Sequence, residues 1–366
     1  MRYIILTVTL LFFHSTFAQP IQLTGRVTAK SGSPIPFAHL IIENTGLGNI
    51  TSTSGEFILK IPSSYCNKFL IVSCIGYETM KVPVQCDTET LAIQLNENVI
   101  ELNAVQITGL TATGIVKEAI SNLENNFQID SMSYTVFGRI TEKERNEPVL
   151  LEEFVFDMTH TKNQKADFYI RKIRGKGYNK LGEERLDVAR LSDIHRIESN
   201  LMLRFTPGFL KERKMKKYHY QLEGEQELNG LKYYVISIDS EEYLQGGVLW
   251  VHKEDFGIGY MEKRYKTEEW ENNVRSESIH RAYYIRDGKK WVFSHGSRTH
   301  NQELKKEGVV LSVQAFTVVT DRNKNTPFTQ KEEMGLMVQK LKEFKGNYDD
   351  SYWEQYNYVP LDDLFK

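Results

Sequence analysis

The sequence predicts a mainly β protein in two parts: a small β-sandwich over residues 19–96 and a larger α+β domain over 114–366 dominated by antiparallel strands. Three observations predict it. Residues 22–95 break into short segments whose apolar side chains recur every second position, the period of a pleated strand. The second half carries the hairpin dipeptides Asn229-Gly230 and Asp287-Gly288 between apolar runs. Only one stretch near the junction, Gly114 to Phe127, shows a clear helical period.

The chain starts with a three-part export signal. Arg2 gives a positive start, Ile4 to Phe13 is an apolar run, and Ser15-Thr16-Phe17-Ala18 offers small residues to a signal peptidase. Cleavage is expected after Ala18, making residues 1–18 a signal peptide; no Cys at that point asks for a lipid anchor. No later stretch reaches the ~18 to 20 apolar residues of a spanning helix. The protein is therefore expected to be exported, either periplasmic or outer-membrane-associated, with peripheral membrane association open. A formal net charge of −2, from 46 basic and 48 acidic residues, argues against a nucleic-acid binder.

In the first domain the half-buried strands are set by Leu23 and Val27, Ala38 to Ile42, Phe57 to Ile61, Leu70 to Cys74, Met80 to Val84, and Leu91 to Leu95. Ser31-Gly32-Ser33-Pro34, Asn44-Thr45-Gly46 and Ser54-Gly55 punctuate them as turns. Gly55 and Gly76 suit positive φ, which a Cβ resists. Tyr77 reads as a packing residue at its turn. If the strands on either side of Gly76 form a hairpin, positions whose numbers sum to 152 face each other, which sets Cys66 opposite Cys86. A disulfide there and free thiols both stay open; Cys74 reads as a buried thiol, and the odd count of three leaves at least one over.

Four pieces of this region, Gly25-Arg26-Val27, Pro34-Ile35-Pro36-Phe37-Ala38, Gly55-Glu56-Phe57 and Ile75-Gly76-Tyr77-Glu78, occur in the order of the carboxypeptidase regulatory-like domain, which the region resembles. The resemblance implies a seven-stranded, transthyretin-like Greek-key sandwich that carries no catalysis of its own. Ser54 stands where that family often has Asp.

Residues 97–113 are expected to link the domains. The string LNENVIELNAV resembles the connector that follows this sandwich in TonB-dependent outer-membrane receptors, but the sequence after it is too short for a barrel of ~22 strands. A helix is expected from Gly114 to Phe127 with Thr113 as N-cap. TGIVKEAISNLENNF followed by SYTVFGRIT resembles the second segment of exported proteins that pair this sandwich with a further β domain. The Asn229-Gly230 turn sets Glu227 opposite Lys232. A turn centred on Asp287-Gly288 makes facing positions sum to 575, so that Tyr284 meets Trp291, Glu277 meets Arg298 and His280 meets His295. A further hairpin joins Gly247–Val251 to Tyr260–Tyr265, and Val309 to Thr320 is the last strand. The meander, with its string GVLWVHKEDFGI, resembles the half-barrel of periplasmic lipoprotein carriers. Residues 171–217 read as a charged interlude with a helix from Leu186 to Met202 and a solvated basic run at Lys211, Arg213, Lys214, Lys216 and Lys217. Lys331 to Phe344 reads as a final helix, and the aromatic, acidic stretch YDDSYWEQYNYVPLDD as a tail that packs back on the sheet.

Two constellations bear on chemistry. His195 and Glu198 have the His-x-x-Glu spacing of zinc carboxypeptidases, with His295 or His300 as a third ligand by type. Their flanks do not match those enzymes, and the strand-rich pattern is not that fold. His280 and His295, facing on one sheet surface, would be a second pair of metal candidates. No phosphate loop or nucleophile elbow occurs. The expected protein is a non-enzymatic envelope binding or assembly module, without cofactor, that holds a hydrophobic or glycan ligand or docks a partner protein. The alternative is a metal-dependent hydrolase using His195 and Glu198.

Overall fold

In the computed structural model, the described residues are 20–85, 87, 90–98, 110–127, 133–160, 166–186, 207–240, 245–267, 274–305, 308–322 and 356–365. The first seven strands are β1 (Ile21–Ala29), β2 (His39–Ile42), β3 (Gly48–Ile50), β4 (Glu56–Ile61), β5 (Phe69–Ser73), β6 (Met80–Pro83) and β7 (Thr90–Leu95). They form two sheets, in orders β4-β1-β7 and β3-β2-β5-β6, with β1 and β7 parallel. The expected alternation is what packs: Leu23, Val27, Leu40, Leu59, Val72 and Ile93 fill the space between the sheets. Gly55 and Gly76 take φ of +79° and +85°, and Tyr77 packs against the same core.

The β5–β6 register follows the sum of 152, with Leu70 opposite Val82 and Val72 opposite Met80. Cys66 is disulfide-bonded and Cys74 is free. Cys86 lies outside the described residues.

Among the described residues the larger domain has α1 (Ala112–Ser121), α2 (Leu123–Asn126), α3 (Lys180–Leu186) and ten strands. These are β8 (Ser133–Glu144), β9 (Glu147–His160), β10 (Ala166–Gly177), β11 (His219–Leu228), β12 (Leu231–Asp239), β13 (Gln245–His252), β14 (Ile258–Lys266), β15 (Val274–Asp287), β16 (Lys290–Leu304) and β17 (Val309–Asp321). They make one open antiparallel sheet ordered β10-β9-β8-β17-β16-β15-β14-β13-β12-β11, with β17 closing beside β8 rather than at an edge. One face lies beneath α1, whose Ile115, Val116 and Ala119 join Phe154, Leu249 and Ile236 in the main core. The other face takes the sandwich: Ile50 of β3 packs with Phe137, Val155, Phe316 and Val318.

Four expectations are corrected. The helix is capped by Thr111, not Thr113: Thr111 is extended and its Oγ1 accepts from Gly114 N at 3.1 Å, leaving Thr113 inside the first turn. The helix also breaks at Asn122, whose side chain donates back to Glu118 O at 2.9 Å. The charged interlude does not begin at residue 171, because β10 runs to Gly177. Its charges are matched from β9, with Asp157 accepting from Arg171 and Glu153 from Arg174.

The fourth correction concerns the β15–β16 hairpin. Asp287 pairs with Lys290, so the turn's central residues are Gly288 and Lys289, with positive φ at Gly288 alone, as a type II′ turn requires. Ser294 is an extra residue in β16, a β-bulge. Together these shifts set Tyr284 opposite Phe293, Glu277 opposite Asn301, His280 opposite Arg298 and His295 opposite Tyr283. The Asn229-Gly230 turn holds as expected, with Glu227 opposite Lys232. Lys211 precedes a 3-10 helix, Glu212–Lys217, that carries the rest of the basic run; the run is exposed except at half-buried Lys214. The helices expected at Leu186–Met202 and Lys331–Phe344 lie outside the described residues, apart from Leu186 at the end of α3.

Candidate functional site

The sandwich meets the sheet through the outer face of β2, β5 and β6, where His39, Ile41 and Glu43 fall in one line and Ile71 and Lys81 lie beside Ile41. One end of this face is tightly closed. His39 Nε2 lies 2.8 Å from Ser294 Oγ, which lies 3.1 Å from His295 Nδ1. The two imidazoles stack at 5.1 Å, and His295 stacks on Tyr283 at 4.1 Å. The bulge explains how two successive residues of β16 both reach His39: the extra residue interrupts the strict alternation of side chains. A serine hydroxyl has one proton, so it donates to one ring and accepts from the other, which suits two neutral imidazoles. Burial, helped by the Arg322 guanidinium, pushes His39 down to about 3 and holds His295 well below its ordinary value. Asn229 N donates to Thr79 Oγ1 at 3.0 Å and adds a second contact across the interface.

The other end gapes. A cleft of about 800 Å³ opens between the sandwich's β2–β3 turn and strand β6 on one side, and the β11–β12 and β15–β16 turns on the other. Ile41, Ile71, Leu231 and Ile285 give it apolar walls. Lys81 and Glu43 pair at 2.6 Å on its sandwich rim, while Arg286 and Asp287 stand on the sheet rim. Arg322, almost fully buried, donates from Nη1 to Gly46 O at 3.1 Å and from Nη2 to Phe293 O at 2.9 Å, so it fastens the turn to the sheet. Both the void's size and its place between two domains suit a ligand site.

The residues singled out in the sequence fare unevenly. His280 and His295 do not share a site. His295 belongs to the buried contact with the sandwich; His280 lies on the opposite face, between Lys263 and Arg298 and edge-on to Tyr265 at 5.9 Å. Burial, helped by Lys211, pushes the neighbouring Lys263 down to about 8. His195 and Glu198 lie outside the described residues. Among the described residues no three His, Cys, Asp or Glu side chains gather as metal ligands. No described helix is long and apolar enough to cross a membrane. Sequence reasoning missed His39, Ser294 and Arg322, and that three of the turns it marked meet to frame one cleft. Only the turns had left a mark, as Asn44-Thr45-Gly46, Asn229-Gly230 and Asp287-Gly288.

Residues 23–107 match the family model of the CarboxypepD_reg-like domain, a non-catalytic family. No curated protein matches the chain. Among solved structures, a DUF1329 family protein from Desulfovibrio piger is similar at a TM-score of 0.25 and 10% identity, over 62% of this chain and 99% of that one. Lipovitellin, from a study of its lipid–protein interactions, is similar at a TM-score of 0.26 and 11% identity, over 57% of this chain and 27% of that one. Likeness at this level fixes neither fold nor ligand.

Proposed function

We propose that the protein is an exported, non-catalytic docking module of the cell envelope, periplasmic or outer-membrane-associated, which takes a peptide segment of a partner protein in the cleft between its two domains. The observation that carries this reading is the cleft itself, about 800 Å³ and framed by turns from both domains. Its rims bear Lys81 and Arg286 as well as Glu43 and Asp287, and its walls are apolar. That mixture fits a peptide, with charges and apolar side chains interleaved, better than an acyl chain. The apolar rows on the sheet's other face are already packed beneath α1, which moves the reading away from a purely hydrophobic ligand.

A thermal-shift screen of tetrapeptides against acyl chains of similar length tests it. Peptides are expected to raise Tm; a ligand present at 100 times its Kd adds about 2.7 kcal/mol. Ile71→Trp, which fills the cleft from β5, is expected to abolish the shift while leaving the unliganded Tm within a few degrees. Stabilisation by acyl chains alone, or by peptides undiminished in Ile71→Trp, would overturn the reading.

Export implies an oxidising compartment, and the disulfide at Cys66 fits one. We propose Cys86 as its partner, from the β5–β6 register. Peptide mapping without reductant is expected to recover Cys66 linked to Cys86, and Cys74 to alkylate only after denaturation. Alkylation of Cys66 in native protein would contradict both.

A further inference from the structure

The segment Tyr356–Phe365 crosses the seam between the sandwich and β8–β10 without joining either sheet. Its main chain is held in the manner of a bound peptide. Three successive carbonyls accept from side chains of the body: Tyr358 O from Asn49 Nδ2 at 2.9 Å, Val359 O from Arg139 Nη2, and Pro360 O from Arg139 Nη1 at 2.9 Å. Asn357 imitates a strand partner along β4, an edge strand: Lys60 N donates to its Oδ1 at 2.5 Å, and its Nδ2 donates to Lys60 O at 3.1 Å. Thr53 N donates to Asp362 Oδ1 at 3.1 Å, and Tyr178 Oη donates to Phe365 O.

Two apolar anchors fix the register. Val359 is fully buried among Ile50, Phe137, Val155 and Phe316. Phe365 is 2% exposed and meets Tyr178 edge-on at 5.6 Å, with the Lys143 ammonium 5.4 Å from its ring. The floor is preformed by the body: Arg139 and Arg174 both donate to Glu153, itself fully buried. Recognition by main-chain carbonyls plus two spaced pockets is how grooves bind extended peptides.

We propose that this seam is a peptide-binding groove, distinct from the cleft, and that Tyr356–Phe365 is an exchangeable occupant whose place the same segment of a second copy takes in trans. A tethered occupant acts at an effective concentration of about 1 mM. Free peptide at about 50 μM therefore fills only about 5% of wild-type grooves. The test uses full-length protein and a fluorescein-labelled peptide of residues 352–366. With Val359→Asp and Phe365→Ala in the chain, the cis segment loses both anchors, and uptake of wild-type peptide at that concentration is expected to rise at least fivefold over wild type. Adding Arg139→Gln is expected to remove the gain, and peptide carrying the two anchor substitutions is expected not to bind. If the double variant fails to fold, a chain with a specific protease site inserted between residues 346 and 347 is nicked instead; labelled peptide then displaces the severed segment on size exclusion within a day. A folded double variant that takes up no peptide, or a nicked protein that retains its segment against excess peptide, overturns the proposal.

Discussion

Replacing Glu153 with Gln is expected to lower the stability of the larger domain by about 3 to 5 kcal/mol, the cost of leaving a buried charge without its partner. Glu153 is fully buried and accepts from Arg139 Nε at 2.6 Å and from Arg174 Nε. Gln keeps the shape but offers one acceptor and a donor where two guanidinium groups both donate, so one arginine is left facing an N–H. The urea midpoint followed by tryptophan fluorescence checks it, since all four Trp lie outside residues 19–96. A loss below about 1 kcal/mol would show that water or a rotated arginine replaces the carboxylate. The all-apolar triple variant Arg139→Met, Glu153→Leu, Arg174→Met separates two roles. Apolar replacement of a whole buried ion network is often neutral in stability. The midpoint is therefore expected to recover much of the loss, while the hold on Val359 and Pro360, which needs the Arg139 guanidinium, does not return.

That network also shows where local pattern stops being informative. The run VLLEEFVFDM, residues 149–158, sets three carboxylates, Glu152, Glu153 and Asp157, in an otherwise apolar strand. This was a legible sign that both faces of β9 are buried and that the charges have partners. The partners themselves come from β8 and β10, and no two-residue period says which strands lie side by side. The same holds for β17 beside β8, a pairing across some 170 residues of chain.

Where the decisive contact is local, the sequence was informative. Asn229-Gly230 takes positive φ at both residues, as its composition asks, and the β11–β12 register follows. Asp287-Gly288 admits two turn types, and the one adopted moves the facing positions by two. The bulge at Ser294 moves them once more, and nothing in KWVFSHGS announces an extra residue. Those shifts separate His280 from His295 and deliver His295 to His39, a residue of the other domain. The contact between the domains was therefore unreadable for a geometric reason: it depends on a register set by a backbone irregularity, not on residue type.

Docking of the two domains is expected to weaken as pH falls from 6.5 towards 3, through His39 and His295. Both rings are buried at the interface, joined by the Ser294 hydroxyl and bordered by Arg322, Tyr283 and Cys74. Neither ring can take a proton there without meeting a cation and losing its hydrated surroundings. His39 keeps a folded value of about 3 against an ordinary value of 6.5. A depressed histidine contributes its full stabilisation above pH 6.5. Below that the unfolded or undocked state binds a proton that the docked state refuses, and the loss grows until pH reaches the docked value. Between pH 8 and pH 5 this withdraws about 2 kcal/mol through His39 alone, and His295 acts in the same direction. The measurement is the urea midpoint from pH 8 to pH 4, beside energy transfer between dyes on Lys30 of the sandwich and Lys305 of the sheet, each replaced by Cys in a Cys74→Ser background. His39→Gln and His295→Gln together are expected to flatten the pH dependence and to lower stability at pH 8, where the Ser294 bridge is lost. An unchanged slope in that double variant would assign the acid response to carboxylates elsewhere. Loss of energy transfer at a higher pH than the fluorescence transition would show undocking ahead of unfolding, the order expected when the titrating groups lie between the domains rather than within either core.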